Sequence, residues 1–156
     1  MARFDTTGLD KLISEMQKMG ETSGAMAEAM VTAASVEIRD CWRESAEKHG
    51  HVDTGAMIES IGFPQPVKRM GDILYRDIYP QGKDKRGRKK AVRNAEKAFI
   101  LNYGTSTIPA SHWVDEAEDA AGDRVQSRLE SMWDQYLESG GTVPPVADTG
   151  GLTHRK

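Results

Sequence analysis

Residues 113–138 read WVDEAEDAAGDRVQSRLESMWDQYLE. Apolar residues recur along this stretch at helical spacing, and acidic residues crowd its first turns, where the helix dipole favours negative charge. The apolar face consists of Trp113, Ala117, Ala120, Ala121, Val125, Leu129, Met132, Trp133 and Tyr136. Gly140 and Gly141 follow and should end the helix. The stretch therefore predicts a long closing helix, and the other elements are expected to pack on its apolar face.

The N-terminal third predicts two more helices. Leu9, Leu12, Ile13 and Met16 follow the i, i+3, i+4, i+7 rule, which predicts a short amphipathic helix that ends near Gly20. A second helix should begin after a Ser23 cap, run to about Lys48 and stop at Gly50. Its predicted core stripe is Ala27, Val31, Ala34, Ile38, Cys41 and Ser45, with Trp42 beside it.

Residues 25–36 are rich in alanine and apolar on nearly every side of the predicted helix. A helix without a polar face must be covered on more than one side. Two covers are possible: another subunit, which alanine would allow to approach closely, or the rest of the same domain. The sequence leaves both open.

The middle of the chain mixes short helices with extended segments. A helix from Ala56 to Ile61 should be capped by Asp53, and Pro64 and Pro66 confine the next stretch to an edge or irregular strand. A strand is predicted from Ile73 to Tyr79, with a Gly71-Asp72 turn before it and Pro80 ending it. Val92, Ala95, Phe99 and Tyr103 then predict a helix that stops at Gly104.

These elements predict an α+β fold with N-terminal helices, a small antiparallel β-sheet built from about residues 61–79, and a long C-terminal helix. Residues 1–139 are expected to form one domain, with a basic loop at 80–94. Residues 140–156 form a Pro/Gly-rich tail with little to bury, which by itself should be disordered.

Composition excludes several classes of protein. The chain has 156 residues, a formal net charge of −3 and one cysteine, so a disulfide scaffold or a four-cysteine zinc site within one chain is excluded. No apolar run is long enough to span a membrane, and residues 1–5 show no signal region. We expect a soluble, untargeted protein in a reducing compartment, without a membrane partner.

Residues that could support catalysis are few. His49 and His51 have Cys41 as their only nearby metal-ligand candidate, Cys41 lies on the predicted core stripe, and no nucleophile elbow or phosphate-binding glycine loop is present. Paired carboxylates such as Glu44 and Glu47 fall on faces that should be solvated. We therefore predict no enzyme activity, no metal, no cofactor and no small-molecule substrate.

The basic loop is the strongest polar signal. Its seven basic residues are Lys83, Lys85, Arg86, Arg88, Lys89, Lys90 and Arg93. Three interpretations are open. The loop could contact a subunit or partner, for example the acidic first turns of the last helix in a neighbouring copy. It could contact passing DNA without reading its sequence, or it could be merely solvated.

Two motifs in order resemble a known family. Val52–Ile61 reads VDTGAMIESI, and Ala98–Ser106 reads AFILNYGTS, followed by Ile108–Trp113 as IPASHW. Together they resemble the tail-completion or head–tail joining (neck) proteins of long-tailed phages, similar to minor tail protein Z of lambda-like phages. The residues that carry the resemblance are Asp53, Thr54, Gly55, Ser60, Phe99, Tyr103, Gly104, Thr105, Pro109 and Trp113. The family often has an acid where Asn102 stands and a proline where His112 stands.

The resemblance implies a structural virion protein that forms a homo-oligomeric ring at the neck and works without catalysis. Its implied partners are the phage connector or stopper, the tail terminator and tail-tube proteins, and its implied location is the virion neck, with host cytoplasm during assembly. A tail terminator that caps tube growth is the alternative within this class, and a small sequence-nonspecific DNA-binding protein is the alternative outside it. From the residues themselves, we expect Asp53 and Thr54 to act as caps, Gly104 to adopt positive φ, and Phe99, Tyr103 and Trp113 to join the last two helices.

Overall fold

The computed structural model of the chain describes residues 7–53, 55–64, 66–85 and 90–147, and residues 7–10 by their backbone only. Four helices are present: α1 (Thr7–Lys48), α2 (Ala56–Glu59), α3 (Asn94–Tyr103) and α4 (Trp113–Glu138). Six short strands lie between α2 and α3: β1 (Ile61–Gly62), β2 (Lys68–Met70), β3 (Ile73–Tyr75), β4 (Tyr79–Pro80), β5 (Lys83–Asp84) and β6 (Val92–Arg93). The predicted α+β class, with long helices at both ends, is confirmed.

The N-terminal region is one helix of 42 residues, so the prediction of two helices is wrong. The space around Gly20 is open, and Ser23 Oγ donates to Gly20 O at 2.9 Å within the helix instead of capping a new one. A mid-helix glycine costs only about 1 kcal/mol. Packing of Met19 and Met26 on either side of this point outweighs that cost. Gly50, with φ 72°, follows the helix end as predicted.

α1 and α4 form an antiparallel pair that contains most of the core. At one end Ser45 Oγ donates to Trp113 O at 2.7 Å, and at the other Thr22 Oγ1 lies 2.8 Å from the Tyr136 hydroxyl. Small side chains fill the middle, where Cys41 packs with Ala117 and Ala121. The predicted face of α4 is largely confirmed, although Ala120 and Trp133 are exposed.

The predicted core stripe of α1 is only partly right. Cys41 and Ser45 are buried, whereas Ala27, Val31 and Ala34 are half-buried. The buried positions in that half of the helix are Met26, Ala33, Ser35 and Arg39. Met26 and Ala33 pack with Met132 and Tyr136 of α4, whereas Arg39 lies beside Phe63 of the β-strand region, so the buried positions follow two covers and not one stripe.

The second side of α1 packs against Phe63. The Arg39 guanidinium lies 5.9 Å from the centre of the Phe63 ring, and that of Arg76 lies 4.7 Å from it. Arg43 Nη2 donates to Ile61 O at 2.7 Å. The domain's own β region therefore supplies a second cover for part of α1.

The strands are antiparallel but form three separate pairs, β1 with β4, β2 with β3, and β5 with β6. The single strand predicted from Ile73 to Tyr79 is interrupted at residues 76–78, and Pro80, which pairs with Ile61, ends β4 as predicted. Side chains 74, 76, 78 and 80 are more buried than those between them. The β-branched and aromatic residues of this stretch correctly predicted extended chain, whereas the sequence did not assign its backbone partners.

Two further expectations need correction. The N-cap of α2 is Gly55, with φ 72°, and not Asp53; Thr54 lies outside the described residues. In the tail, residues 142–147 pack on the chain: Pro144 is buried, and Val143 and Val146 contact the cluster around Met26 and Tyr136. Tail residues 148–156 are not among those described.

Candidate partner interface

Three aromatic side chains lie exposed near the start of α4. Phe99 is 63% exposed, Tyr103 58% and Tyr79 42%, and the rings of Phe99 and Tyr103 are 4.8 Å apart. All three border one groove of about 320 Å³, which Glu118 also lines. We call Tyr79, Phe99 and Tyr103 the aromatic patch. The expectation that Phe99 and Tyr103 join the last two helices is wrong, whereas Trp113 is fully buried as expected.

The aromatic rings face outward because α3 buries a polar stripe instead. Its buried residues are Asn94, Ala98 and Asn102, spaced four apart. Asn94 Nδ2 donates to Gln81 O at 2.8 Å, and Asn102 Oδ1 accepts a hydrogen bond from Val114 N at 2.9 Å. Both amides bind backbone groups of neighbouring segments, so this face must point inward. Phe99 and Tyr103, each one position after a buried residue, are turned toward solvent.

The predicted basic loop is in part a β-hairpin. Lys83 pairs in register with Arg93, and Asp84 with Val92. Asp84 is buried and forms an ion pair with Lys97 Nζ at 2.8 Å, which fixes the hairpin to α3. Lys83, Lys85, Lys90 and Arg93 are exposed, whereas Arg86, Arg88 and Lys89 lie outside the described residues. We call β5 and β6, with the exposed Lys83, Lys85, Lys90 and Arg93, the basic hairpin.

The basic hairpin adjoins the aromatic patch. A hollow of about 310 Å³ is lined by Tyr79, Lys83 and Arg93, so Tyr79 borders both this hollow and the groove of the patch. Lys83 and Arg93 form no ion pair with any residue that the structure describes. The surface thus combines exposed rings with an unpaired arginine and lysine; aromatic residues and arginine are enriched at protein interfaces, whereas lysine is not.

The acidic first turns of α4 are partly engaged within the chain. Glu116 binds Lys48 Nζ and lies 2.6 Å from His49 Nε2, and these bonds lower the pKa of its carboxyl. Asp115 lies 3.0 Å from His112 Nδ1. These carboxylates are therefore already paired, which leaves Glu118, Asp119 and Asp123 exposed on this part of the helix.

The second sequence motif forms a tight connection between α3 and α4. Gly104 has φ 75° as expected, and a Cβ there would lie 2.6 Å from Ala110 N and from Ile108 O. Thr105 N donates to Ile108 O at 2.7 Å, and Thr105 Oγ1 accepts from Ile108 N at 3.1 Å. The turn includes Pro109 and places Trp113 in the core. The Trp113 ring packs edge-on to the Trp42 ring, with the ring centres 5.7 Å apart.

The first sequence motif, Val52–Ile61, contains α2 and the residues at its two ends. Ser60 Oγ donates to Met57 O at 2.7 Å, and Gly55 begins the helix with positive φ. Met57, Ile58 and Ile61 are buried in the cluster around Trp113. The helix predicted from Ala56 to Ile61 ends at Glu59, and Ile61 begins β1. The two motifs therefore meet at one core.

One histidine–serine pair was not predicted from the sequence. His51 Nε2 lies 2.9 Å from Ser111 Oγ, a distance at which a base can activate a nucleophile. Ser111 Oγ, however, donates its own hydrogen to Leu101 O at 2.7 Å, so His51 must be the donor. The pair positions the connection before α4. Sequence spacing gave no signal for it, because sixty positions separate the two residues.

The other candidates for reactive chemistry, His49, His51 and Cys41, make contacts within the chain. His49 and His51 stack 5.9 Å apart, and burial raises the pKa of the Cys41 thiol. Within the described ranges, no three side chains of the metal-ligating types converge. No helix in this part of the chain has the length and apolar content that crossing a bilayer requires.

Comparisons of the chain with models of known protein families, with curated proteins and with solved structures find no match. The aromatic patch and the basic hairpin are therefore the features from which function must be argued.

Proposed function

We propose that the chain is a structural virion protein of a long-tailed phage that acts in tail completion and head-to-tail joining at the neck. It works by assembling with copies of itself and with connector, terminator or tail-tube proteins. The single observation that carries this proposal is the aromatic patch beside the basic hairpin. The two sequence motifs that resemble the neck family shape this same region of the molecule.

The patch suits a protein partner. Large rings exposed together beside a groove are typical of interaction sites, and isolated exposed apolar residues are not. Phe99, Tyr103 and Tyr79 present three such rings at more than 40% exposure each. Arginine and aromatic side chains are the residues that most often dominate binding energy at interfaces. Arg93 lies beside the rings, so the surface contains both types.

DNA is a less suitable ligand for the whole surface. Rings beside basic groups can bind single strands by stacking and charge. Glu118, however, lines the groove, so a phosphate placed in the groove would meet a negative charge. The basic hairpin alone supports the DNA-binding alternative. If all seven basic residues of segment 83–93 met phosphates, binding would fall with salt at a log–log slope of roughly −6.

The proposal is tested by imaging particles of the encoding phage that carry a nonsense mutation in this gene. Filled heads beside unattached tails of normal length are the expected result. Overlong tails would favour the tail terminator alternative, and normal virions would overturn the proposal.

Complementation of that nonsense mutant tests whether the aromatic patch is the contact needed for joining heads to tails. Phe99→Ser combined with Tyr103→Ser should fail to restore infectious particles. The control combines Met70→Ser with Ile73→Ser. These side chains, in the β2–β3 hairpin, are 66% and 61% exposed, close to the values of Phe99 and Tyr103. The control should restore particles as the wild-type gene does, and a patch variant that also restores them would show that the patch is not the contact.

A further inference from the structure

The C-terminal end of α4 carries a second exposed surface. Trp133 is 45% exposed and Leu137 46%, although both lie in the long closing helix. Glu130, Asp134 and Glu138 share their face, since the five positions follow the i, i+3, i+4, i+7, i+8 rule. All three acids are exposed. We call these five residues the acidic stripe.

Glu138, the last residue of the acidic stripe, is unfavourably placed in the isolated chain. The C-terminal end of a helix carries partial negative charge, so carboxylates are disfavoured there and cations are favoured. The last turn of α4 contains no basic residue. Glu130 accepts a hydrogen bond from Gln126 at 2.9 Å, whereas Asp134 and Glu138 bind no residue in the described ranges. A cationic partner would relieve this repulsion.

More apolar surface is exposed at the same end. Gly140, just after α4, lies beside Glu15 of α1, and the neighbouring Leu12, Ile13 and Met16 are 45–63% exposed. The basic residues here are Lys11, which faces Glu15 at 4.0 Å, and Lys18, which donates to Thr142. Neither contributes to the acidic stripe on α4.

We propose that the acidic stripe of one copy binds the aromatic patch and basic hairpin of a second copy. The two surfaces are complementary in apolar area and in charge. Trp133 and Leu137 would contact the exposed rings, and the three carboxylates would contact the basic residues Lys83, Lys85, Lys90 and Arg93. This inference rests on the proposed assembly function, and it names the surfaces by which copies join.

The acidic stripe and the aromatic patch of one chain are too far apart to contact each other. Glu118 at the aromatic patch and Leu137 on the acidic stripe are separated by about 28 Å along α4, given about 1.5 Å of rise per residue. The contact must therefore join different copies. Because it uses two different surfaces, it is head-to-tail, and such a contact closes a ring or propagates as a filament.

Charge reversal tests the pairing directly. The stripe variant combines Glu130→Lys, Asp134→Lys and Glu138→Lys, and the hairpin variant combines Lys83→Glu and Arg93→Glu. Each alone brings like charges together, so its self-association, measured by sedimentation velocity in low salt, should weaken roughly tenfold or more. Mixed one to one, the variants again offer opposite charges at each joint, and association should return.

The matched control combines Glu47→Lys with Asp72→Lys, which reverses exposed acids outside both surfaces. It should associate like the wild-type chain. The proposal is overturned if the wild-type protein stays monomeric up to about 1 mM in low salt, if either variant associates normally, or if the mixture of the two does not associate.

The outcome separates this inference from the proposed function. If the protein is monomeric but its loss still leaves tails unattached, the head-to-tail contact is wrong and the neck role stands. If the protein assembles but its loss leaves virions normal, the neck role is wrong and the head-to-tail contact stands.

Discussion

The two tryptophans of α4 lie in opposite environments. Trp113, the first residue of the helix, is fully buried among α1, α2 and α3, whereas Trp133, near its other end, is 45% exposed. At the Trp113 end, elements from across the sequence enclose the α1–α4 pair. At the Trp133 end, the described residues that cover α4 belong to α1 and to residues 141–146. The same residue type on one helix thus supports the core at one end and is available for contacts at the other.

The largest expected effect follows from that difference. Trp113→Ala should lower the free energy of unfolding by about 3–5 kcal/mol, because it removes a fully buried ring. Trp133→Ala, the matched control, should change it by less than about 1 kcal/mol. Denaturant unfolding of both variants gives the two values. Equal losses would mean that the two ends do not differ in packing.

Gly104→Ala should have the next largest effect, a loss of about 2–3 kcal/mol. The position combines positive φ with backbone atoms only 2.6 Å from where the alanine Cβ would lie, and Trp113 depends on this turn for its position. Gly20→Ala is the contrasting change near the open end of α1, where nothing lies within 4 Å. It should raise stability by up to about 1 kcal/mol. A loss at Gly20 would argue against a continuous α1.

The open end depends on hydrogen bonds, so Tyr136→Phe should destabilise the protein by about 1 kcal/mol. The Tyr136 hydroxyl donates to Met19 O at 2.7 Å and contacts Thr22 Oγ1. Chemical denaturation measures the loss, and hydrogen exchange should show it concentrated in residues 19–26 and 141–146. Uniform loosening of the chain, including the region of Trp113, would contradict the distinction between the ends.

The smallest effect is a pH dependence at the enclosed end. Burial, and then the neighbouring His49, lower the pKa of His51 below its usual value of about 6.5. The unfolded chain therefore binds the proton more readily, and stability should fall as pH drops from about 6.5 through the lowered pKa.

His51→Gln is the matched test, since glutamine keeps a donor for Ser111 but does not titrate. Unfolding measured between pH 7.5 and 5 should show a shallower decline for this variant than for the wild-type protein. An identical decline would place the titration elsewhere.

The sequence predicted the elements better than their surroundings. The spacing of apolar residues correctly predicted α4, and the glycines correctly predicted the end of α1, the turn at Gly71-Asp72 and positive φ at Gly104. The break predicted at Gly20 was wrong because a glycine's local preference is weak against packing on a partner helix. The strand partners could not be assigned, since residue types indicate an extended chain but not which backbone lies alongside it.

The candidate interface was only half predictable. The basic residues were evident from charge alone, but Phe99 and Tyr103 were expected in the core because aromatic residues at helical spacing usually mark a buried face. Two asparagines reversed that expectation by binding the backbone of distant segments.

By itself, the sequence determined which segments are helical or extended and which stretch is basic, because these follow from residue spacing and charge along the chain. Only the tertiary structure decided which face of each helix is buried and which aromatic rings remain exposed. The reason is physical: a face is buried by what packs against it, and here Tyr136 packs against Met19, which lies 117 residues away in the sequence.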